Sequence, residues 1–427
     1  RYLAVMGGYM DHYGELIGPY PFAKFAVVEN PWQTGFGMPS FTLLGSRVLR
    51  LPFIPFTSLP HEILHNWLGN GIWVDYRAGN WSEGLTAYLA DHWMKERRGQ
   101  GAQHRLKSLQ RYSNFAAEGR DAPLLEFVSR HDDTSQAIGY DKSLMLFHML
   151  RRELGDRGFS NALARLWQRH RFEAIGFTQA LHTLLQEQPA LLPHYQAWLE
   201  TTASPRLELS DVRLDRSGER YRLQLQVLQH NERPLSLALP VMVTLQSGAP
   251  ARRLVHRIND ASNTIELTFD QAPIRVDIDP AYDVLRYLDA SEQAPALNQL
   301  FGGESLLVLP TAASPQAERA WKAFARTLQA RYPGLTTAAD TDRAARDPRV
   351  NRIILGWDNR LLGTEAETFR RGTQVLDPDG LRFDGQSYRA PEHAVVLVEN
   401  DPKGVATAFV GAADGATIAA LARKLPH

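Results

Sequence analysis

Cysteine is absent from the 427 residues, which excludes disulfides, thiolate metal ligands and a cysteine nucleophile and leaves the redox compartment open. Long apolar runs are missing as well: none approaches the ~18 residues that a membrane-crossing helix needs. There is no excess of charge of either sign, because Lys plus Arg and Asp plus Glu both number 47. Without a basic or acidic footprint, neither nucleic acid nor an anionic lipid surface is an expected partner. Biased tracts are absent too, and 44% hydrophobic with 22% charged residues is ordinary globular material. The length suggests about three domains. The chain opens Arg1-Tyr2-Leu3 with no initiator Met and no signal peptide, the opening expected of a processed or truncated chain.

What the chain does contain is His61-Glu62-Ile63-Leu64-His65, followed by Trp81-Ser82-Glu83-Gly84-Leu85-Thr86. Two histidines four residues apart on a helix lie one turn above each other on one face, so both imidazoles can reach one metal ion. A catalytic zinc takes three protein ligands at roughly 2.0–2.2 Å and keeps a fourth position for water. His61, His65 and Glu83 form such a set for one Zn2+ ion, although it would also accept other divalent ions. Glu62 points beside the metal, where it can take a proton from water as general base. Ser58 as N-cap, Pro60 in the first turn and an apolar side of Leu64, Trp67 and Leu68 place the motif on a helix. Glu83 opens a second helical run that reaches Trp93, with Asn80 as its N-cap and Gly79 as a chain reversal. The five-residue pattern also arises by chance on amphipathic helices, where both histidines are exposed or satisfied locally; the downstream Glu83 favours the metal site.

The stretch His61-Glu-Ile-Leu-His-Asn-Trp-Leu-Gly-Asn70, with Ser82-Glu-Gly-Leu-Thr86, resembles the catalytic core of the aminopeptidase N family of gluzincins, which also includes leukotriene hydrolase. The resemblance covers about residues 1 to 200, and Pro19 to Val28 is similar to the segment by which family members lead into that domain. Gly139-Tyr-Asp-Lys-Ser-Leu-Met145 resembles the family's Tyr-Glu-Lys-Gly helix. The likeness implies that the Tyr140 hydroxyl donates a hydrogen bond to the oxyanion of the transition state. Family members carry a β-rich domain before this point, so a fragment is expected.

Two departures stand out. The interval between His65 and Glu83 is one residue short of the family's usual one, with the deletion falling in Tyr76 to Asn80, where a loop can absorb it. The family's Gly-Ala-Met-Glu-Asn strand, whose glutamate binds the substrate's free amino group, is replaced by Gly35-Phe-Gly-Met-Pro-Ser40, with Pro39 where that carboxylate should stand. Proline has no charge to pair with an ammonium. Gly35, Phe36, Gly37 and Met38 remain expected as the strand along which a peptide backbone pairs. Glu29, ten residues before Pro39, is the candidate replacement for the amine-binding charge.

The fold expected is multidomain α+β. Residues 1–204 form a thermolysin-like, mainly helical zinc-peptidase domain by the resemblance, with helices such as Ala102 to Glu118, Asp141 to Glu153 and Ser160 to His170. Residues 205–290 alternate with period two, as in Leu223, Leu225, Val227 and in Ile274, Val276, Ile278, which argues a small antiparallel β-sandwich. Residues 295–427 mix strands and helices as an α/β domain that does not match the family's helical C-terminal domain. His92, His104, His148, His170 and His182 read as structural, and Asp91 as a partner for a zinc-bound histidine.

The expected function is a zinc-dependent peptidase with a peptide substrate, an aminopeptidase by resemblance. Endopeptidase action or hydrolysis of N-terminally blocked or non-peptide substrates is the alternative that Pro39 raises, and a non-catalytic zinc-containing binding protein is the rival class. An extracytoplasmic location, periplasmic included, is expected from the fold's usual roles.

Overall fold

The computed structural model describes residues 1–33, 35–117, 119–246, 248–390, 392–401 and 403–426. It divides into two compact units, Arg1–Leu288 and Asp289–His427. The first opens with helix α1 (Tyr2–Leu16), which three glycines disfavour locally. Packing overrides propensity: Met6, Tyr9 and Tyr13 are buried, and Tyr13 sits edge-on to Trp67 with ring centroids 5.9 Å apart. Strands β1 (Ala26–Asn30), β2 (Gly35–Met38) and β3 (Phe41–Gly45) follow. They form a sheet in the order β1-β3-β2, with β1 parallel and β2 antiparallel to β3, so β2 is an edge strand.

Helix α2 (Ser58–Leu64) carries the first histidine and ends as the second begins the exit turn. Thr57, not Ser58, occupies the cap position and makes no side-chain cap; its hydroxyl donates to the Phe53 carbonyl at 3.1 Å. Two turns of helix are marginal alone. What holds this one is complete burial of Leu59, Ile63, Leu64, Trp67 and Leu68, each worth about 1.5–3 kcal/mol for an aliphatic side chain. Gly79, at φ +84°, reverses the chain into helix α3 (Trp81–Thr86), whose N-cap Asn80 accepts from the Ser82 N–H and donates to the Val128 carbonyl. The helix runs on through a π-helical turn, Ala87–His92, into Trp93–Glu96.

Helix α4 (Gly101–Phe115) comes next; the expected end at Glu118 lies outside the described residues. Asp132 then caps the short α5 (Asp133–Gln136), which passes through a second π-helical turn, Ala137–Lys142, into α6 (Ser143–His170). Gly155, at φ 71° and ψ 164°, breaks α6 into the two helices that the sequence pattern predicts. Helices α7 (Phe177–Leu184) and α8 (Leu192–Glu200) complete the helical part. Lys142 is fully buried, its ammonium on both Asp121 oxygens at 3.0 and 2.9 Å and on the Ala122 and Thr201 carbonyls. It ties the second π turn to its surroundings.

Strands β4 (Arg206–Ser217), β5 (Arg220–His230), β6 (Leu237–Leu245), β7 (Arg252–Ile258), β8 (Ser262–Phe269) and β9 (Pro273–Ile278) build two antiparallel sheets in the orders β8-β5-β4 and β9-β6-β7. Alternate residues, Leu223, Leu225 and Val227 from one sheet and Leu239, Val241 and Val243 from the other, join the same core as the helices. Ile274 departs from the expected alternation. The register shifts between Pro273 and Arg275, and Ile274 is left 64% exposed; a bulge turns one residue out of the pleat.

In the second unit, β10 (Ser305–Leu309), α9 (Pro315–Arg331), β11 (Leu335–Ala339), β12 (Arg352–Leu355), a small antiparallel meander β13 (Val375–Asp377), β14 (Gly380–Phe383) and β15 (Gln386–Arg389), then β16 (Val395–Asn400), β17 (Ala406–Gly411) and α10 (Gly415–Lys424) follow in order. The main sheet runs β11-β10-β12-β17-β16, parallel except for the edge strand β16.

Candidate metal centre

Two imidazoles one helical turn apart converge without further help. His61 Nε2 and His65 Nε2 lie 3.1 Å apart, and Glu83 Oε2 from α3 is 3.5 Å from each. A tetrahedral ion with ligands at roughly 2.0–2.1 Å has ligand–ligand edges of about 3.3 Å, so the three atoms already lie near the corners of such a tetrahedron. No other group of three or more His, Cys, Asp or Glu side chains among the described residues converges in this way.

The atoms behind the two imidazoles fix which nitrogen of each is turned toward Glu83. His61 Nδ1 lies 3.0 Å from Asp91 Oδ2, and His65 Nδ1 lies 3.0 Å from the Leu68 carbonyl, which also accepts from the Ser82 hydroxyl at 2.7 Å. Acceptors at both Nδ1 positions hold the protons there and leave the Nε2 lone pairs for a metal. Asp91 reaches His61 because of the π turn. Eight α-helical residues from Glu83 sweep about 800°, some 80° beyond two turns, and the extra residue of a π turn takes back about 100°. Glu83 and Asp91 therefore share a face.

Glu62, Glu83 and Asp91 put three carboxylates around the two histidines. Burial alone would lower the His61 and His65 pKa values, but Asp91 and Glu83 outweigh it and both are raised. The field that holds protons there favours a dication equally. Burial raises Glu83, yet the two histidines hold it well below the usual carboxylate range, so it is ionised. Burial raises Glu62, with the histidines opposing. Tyr140, delivered by the second π turn, stacks at 6.5 Å from the His61 ring. Burial first and the Glu83 and Glu62 charges next push its pKa far up, which keeps its hydroxyl a donor.

His61, Glu62, His65, Glu83 and Tyr140 line one cleft of about 680 Å³, open to solvent, with Gly35, Phe36 and Gly37 of β2 and with Tyr76, Asn80 and Ser82. The glycines permit a close approach. A Cβ at Gly35 would lie 2.9 Å from Glu62 Oε1, and one at Gly37 would lie 3.0 Å from His65 Cβ.

Comparison with known proteins bears on the same segment. Residues 56–197, which span α2, α3 and both π turns, match the model of the peptidase family M1 domain. This stretch is similar to an M1 peptidase domain. Aminopeptidase A of Legionella pneumophila, solved in complex with aspartic acid, is similar in fold with a TM-score of 0.52 at 16% identity, over 76% of this chain and 38% of that one. The M1 zinc metallopeptidase of Deinococcus radiodurans aligns with a TM-score of 0.39 at 21% identity, over 47% of this chain and 44% of that one. A mutant of the latter bound to a Tyr-Ser-Ala substrate aligns with the same TM-score of 0.39 at 20% identity. This chain thus spans less than half the length of either. No curated protein matches it.

The fold places some predicted residues together and not others. Met38, at the hairpin end of β2 opposite Phe41, is not among the cleft-lining residues. Glu29 does not reach the cleft: its carboxylate is half exposed and pairs with Arg50 at 3.1 Å, so that charge is already spent on a surface partner. Pro39 and Ser40 form the two-residue turn between β2 and β3, with Ser40 at φ +69°, as a type II turn with proline first requires. His92 is buried as expected, its Nε2 2.8 Å from the Arg105 guanidinium. Tyr76, Asn70 and Ser82 line the cleft without having been singled out; of these only Ser82, beside Glu83, carried a sequence signal.

Proposed function

We propose that this chain is a zinc-dependent peptidase, with His61, His65 and Glu83 as the zinc ligands. The observation that carries the reading is the convergence of these three donors with Glu62 and Tyr140 on one cleft. A zinc ion held there supplies Lewis acidity to a scissile carbonyl and to water. Glu62 takes the proton of the attacking water and passes it to the leaving amine. The Tyr140 hydroxyl donates to the oxygen that gains charge as the carbonyl is attacked. Asp91 and the Leu68 carbonyl keep the two imidazoles oriented. Gly35 to Gly37, on an edge strand, offer unpaired backbone groups to an extended peptide.

Similarity to the M1 peptidase domain supports aminopeptidase action. A second reading is favoured by a specific observation: among the described cleft-lining residues the only carboxylates are Glu62 and Glu83, and both have other work. A site with no charge left for an ammonium suits the interior of a peptide or a blocked N-terminus. The test is one short peptide supplied free and N-acetylated, with products read by mass. Cleavage of both forms supports the second reading. Cleavage restricted to the free amine supports an aminopeptidase and contradicts it. Turnover only of non-peptide esters or epoxides would move the substrate class.

A further inference from the structure

Strand β2 lies on the cleft wall, and its distance from Glu62 is set by a residue outside the metal set. Asn66 follows the second histidine and is completely buried. Its Oδ1 accepts from the Ser40 backbone N–H at 2.9 Å, and its Nδ2 donates to the Glu62 and Ile63 carbonyls at 3.3 and 3.0 Å. The Tyr20 hydroxyl, 3.2 Å from the same Oδ1, has the Lys24 carbonyl as its other partner at 3.0 Å. One amide thus joins three segments: the Pro39-Ser40 turn, the segment before β1, and the backbone of the general base itself.

The attachment falls at a sensitive point. Gly35 and Gly37 bring the β2 backbone against the Glu62 and His65 side chains so closely that a methyl group on either would force those side chains to shift. The turn at Pro39-Ser40 is the end of β2 that Asn66 holds, while among the described residues no strand pairs with the other edge of β2. We propose that Asn66 is a positioning residue for peptide binding: it pins the β2–β3 hairpin to the helix that carries Glu62 and so sets the width of the cleft along which the substrate backbone pairs. It acts through β2, touching neither substrate nor metal. The substrate half of this statement rests on the peptidase reading; the pinning does not.

Asn66→Ala removes all these bonds and Asn66→Asp keeps the oxygen that receives Ser40. Hydrogen exchange and kinetics on zinc-loaded protein decide between outcomes. Asn66→Ala is expected to raise amide exchange in residues 35–45 at least tenfold, with exchange in 81–96 and the one-to-one zinc content unchanged, and to raise KM for a peptide about tenfold with kcat lowered less than threefold. Asn66→Asp is expected to restore protection of the Ser40 amide and most of KM, and it carries the test alone should the alanine variant not fold. Unchanged exchange in 35–45 overturns the pinning. A fall in kcat at constant KM overturns the role in substrate binding and assigns Asn66 to the base. If wild-type protein cleaves no peptide in a Glu62-dependent way, the peptidase reading fails, and the exchange data still decide the pinning.

Discussion

At Glu62 burial raises the carboxyl pKa while His61 and His65 lower it, and the role proposed for it is to accept a proton without coordinating the ion. Glu62→Gln keeps the shape and removes the base. It should lower kcat by roughly 10²–10⁴-fold and leave zinc content and melting temperature unchanged, read by steady-state kinetics beside metal analysis. Tyr140→Phe should lower kcat by ~10²-fold or more with little change in KM, since the donor acts on charge that develops only in the transition state. Asp91→Ala should weaken zinc binding by about 10–100-fold, measured by competition with a chelator. The pair His61 and His65 was legible because helical spacing alone brings them together, and Glu83, on a second helix, was legible from its place in the Ser82-Glu-Gly-Leu-Thr86 stretch. Glu29 was misread because charge can be seen in a sequence, whereas its commitment to Arg50 cannot.

The same limit recurs among the elements. Helix α3 brings Glu83 to His61 and His65, and Asn80 caps it with one accepted and one donated hydrogen bond. Asn80→Ala should therefore cost about 1 kcal/mol of stability, measured by denaturant unfolding of the zinc-free protein. Capping residues and apolar periodicity announced this helix. Its π turn did not show, because the extra residue leaves no compositional mark, and yet that turn is what brings Asp91 to His61. Helix α1 was hidden by its glycines and is held by Tyr9 and Tyr13. Strand β11, Leu335-Thr-Thr-Ala-Ala339, and the exposed meander β13–β15 bury too little to alternate visibly. The bulge before Arg275 defeated a period-two reading that held for Leu223, Leu225 and Val227.

For the molecule as a whole, the buried histidines should make mild acid destabilising, a trend that Asp141 and Asp279, both pushed up to about 6 by burial, partly offset. Burial, with nearby cationic groups, pushes His92 down to about 2 and His104 down to about 4. Above the ordinary histidine pKa neither state binds a proton there. Below it the unfolded chain takes up protons that the folded chain refuses, so stability falls as the pH drops from about 6.5 toward about 4. The melting temperature should decline over that range, and His104→Gln should flatten the decline; parallel curves for the two proteins would refute this assignment. The α/β character of 295–427 was legible from its mix of apolar strands and helices, the two-unit division emerges from contacts, and no residue pattern in that unit points to chemistry.

The most direct measurement is peptide cleavage followed by mass spectrometry for four samples: zinc-loaded protein, chelator-treated protein, the same protein with zinc restored, and zinc-loaded Glu62→Gln. The account predicts cleavage in the first and third samples and none in the second and fourth. Cleavage that survives both chelation and loss of Glu62, or a zinc-loaded wild-type protein that cleaves no peptide at all, would contradict it.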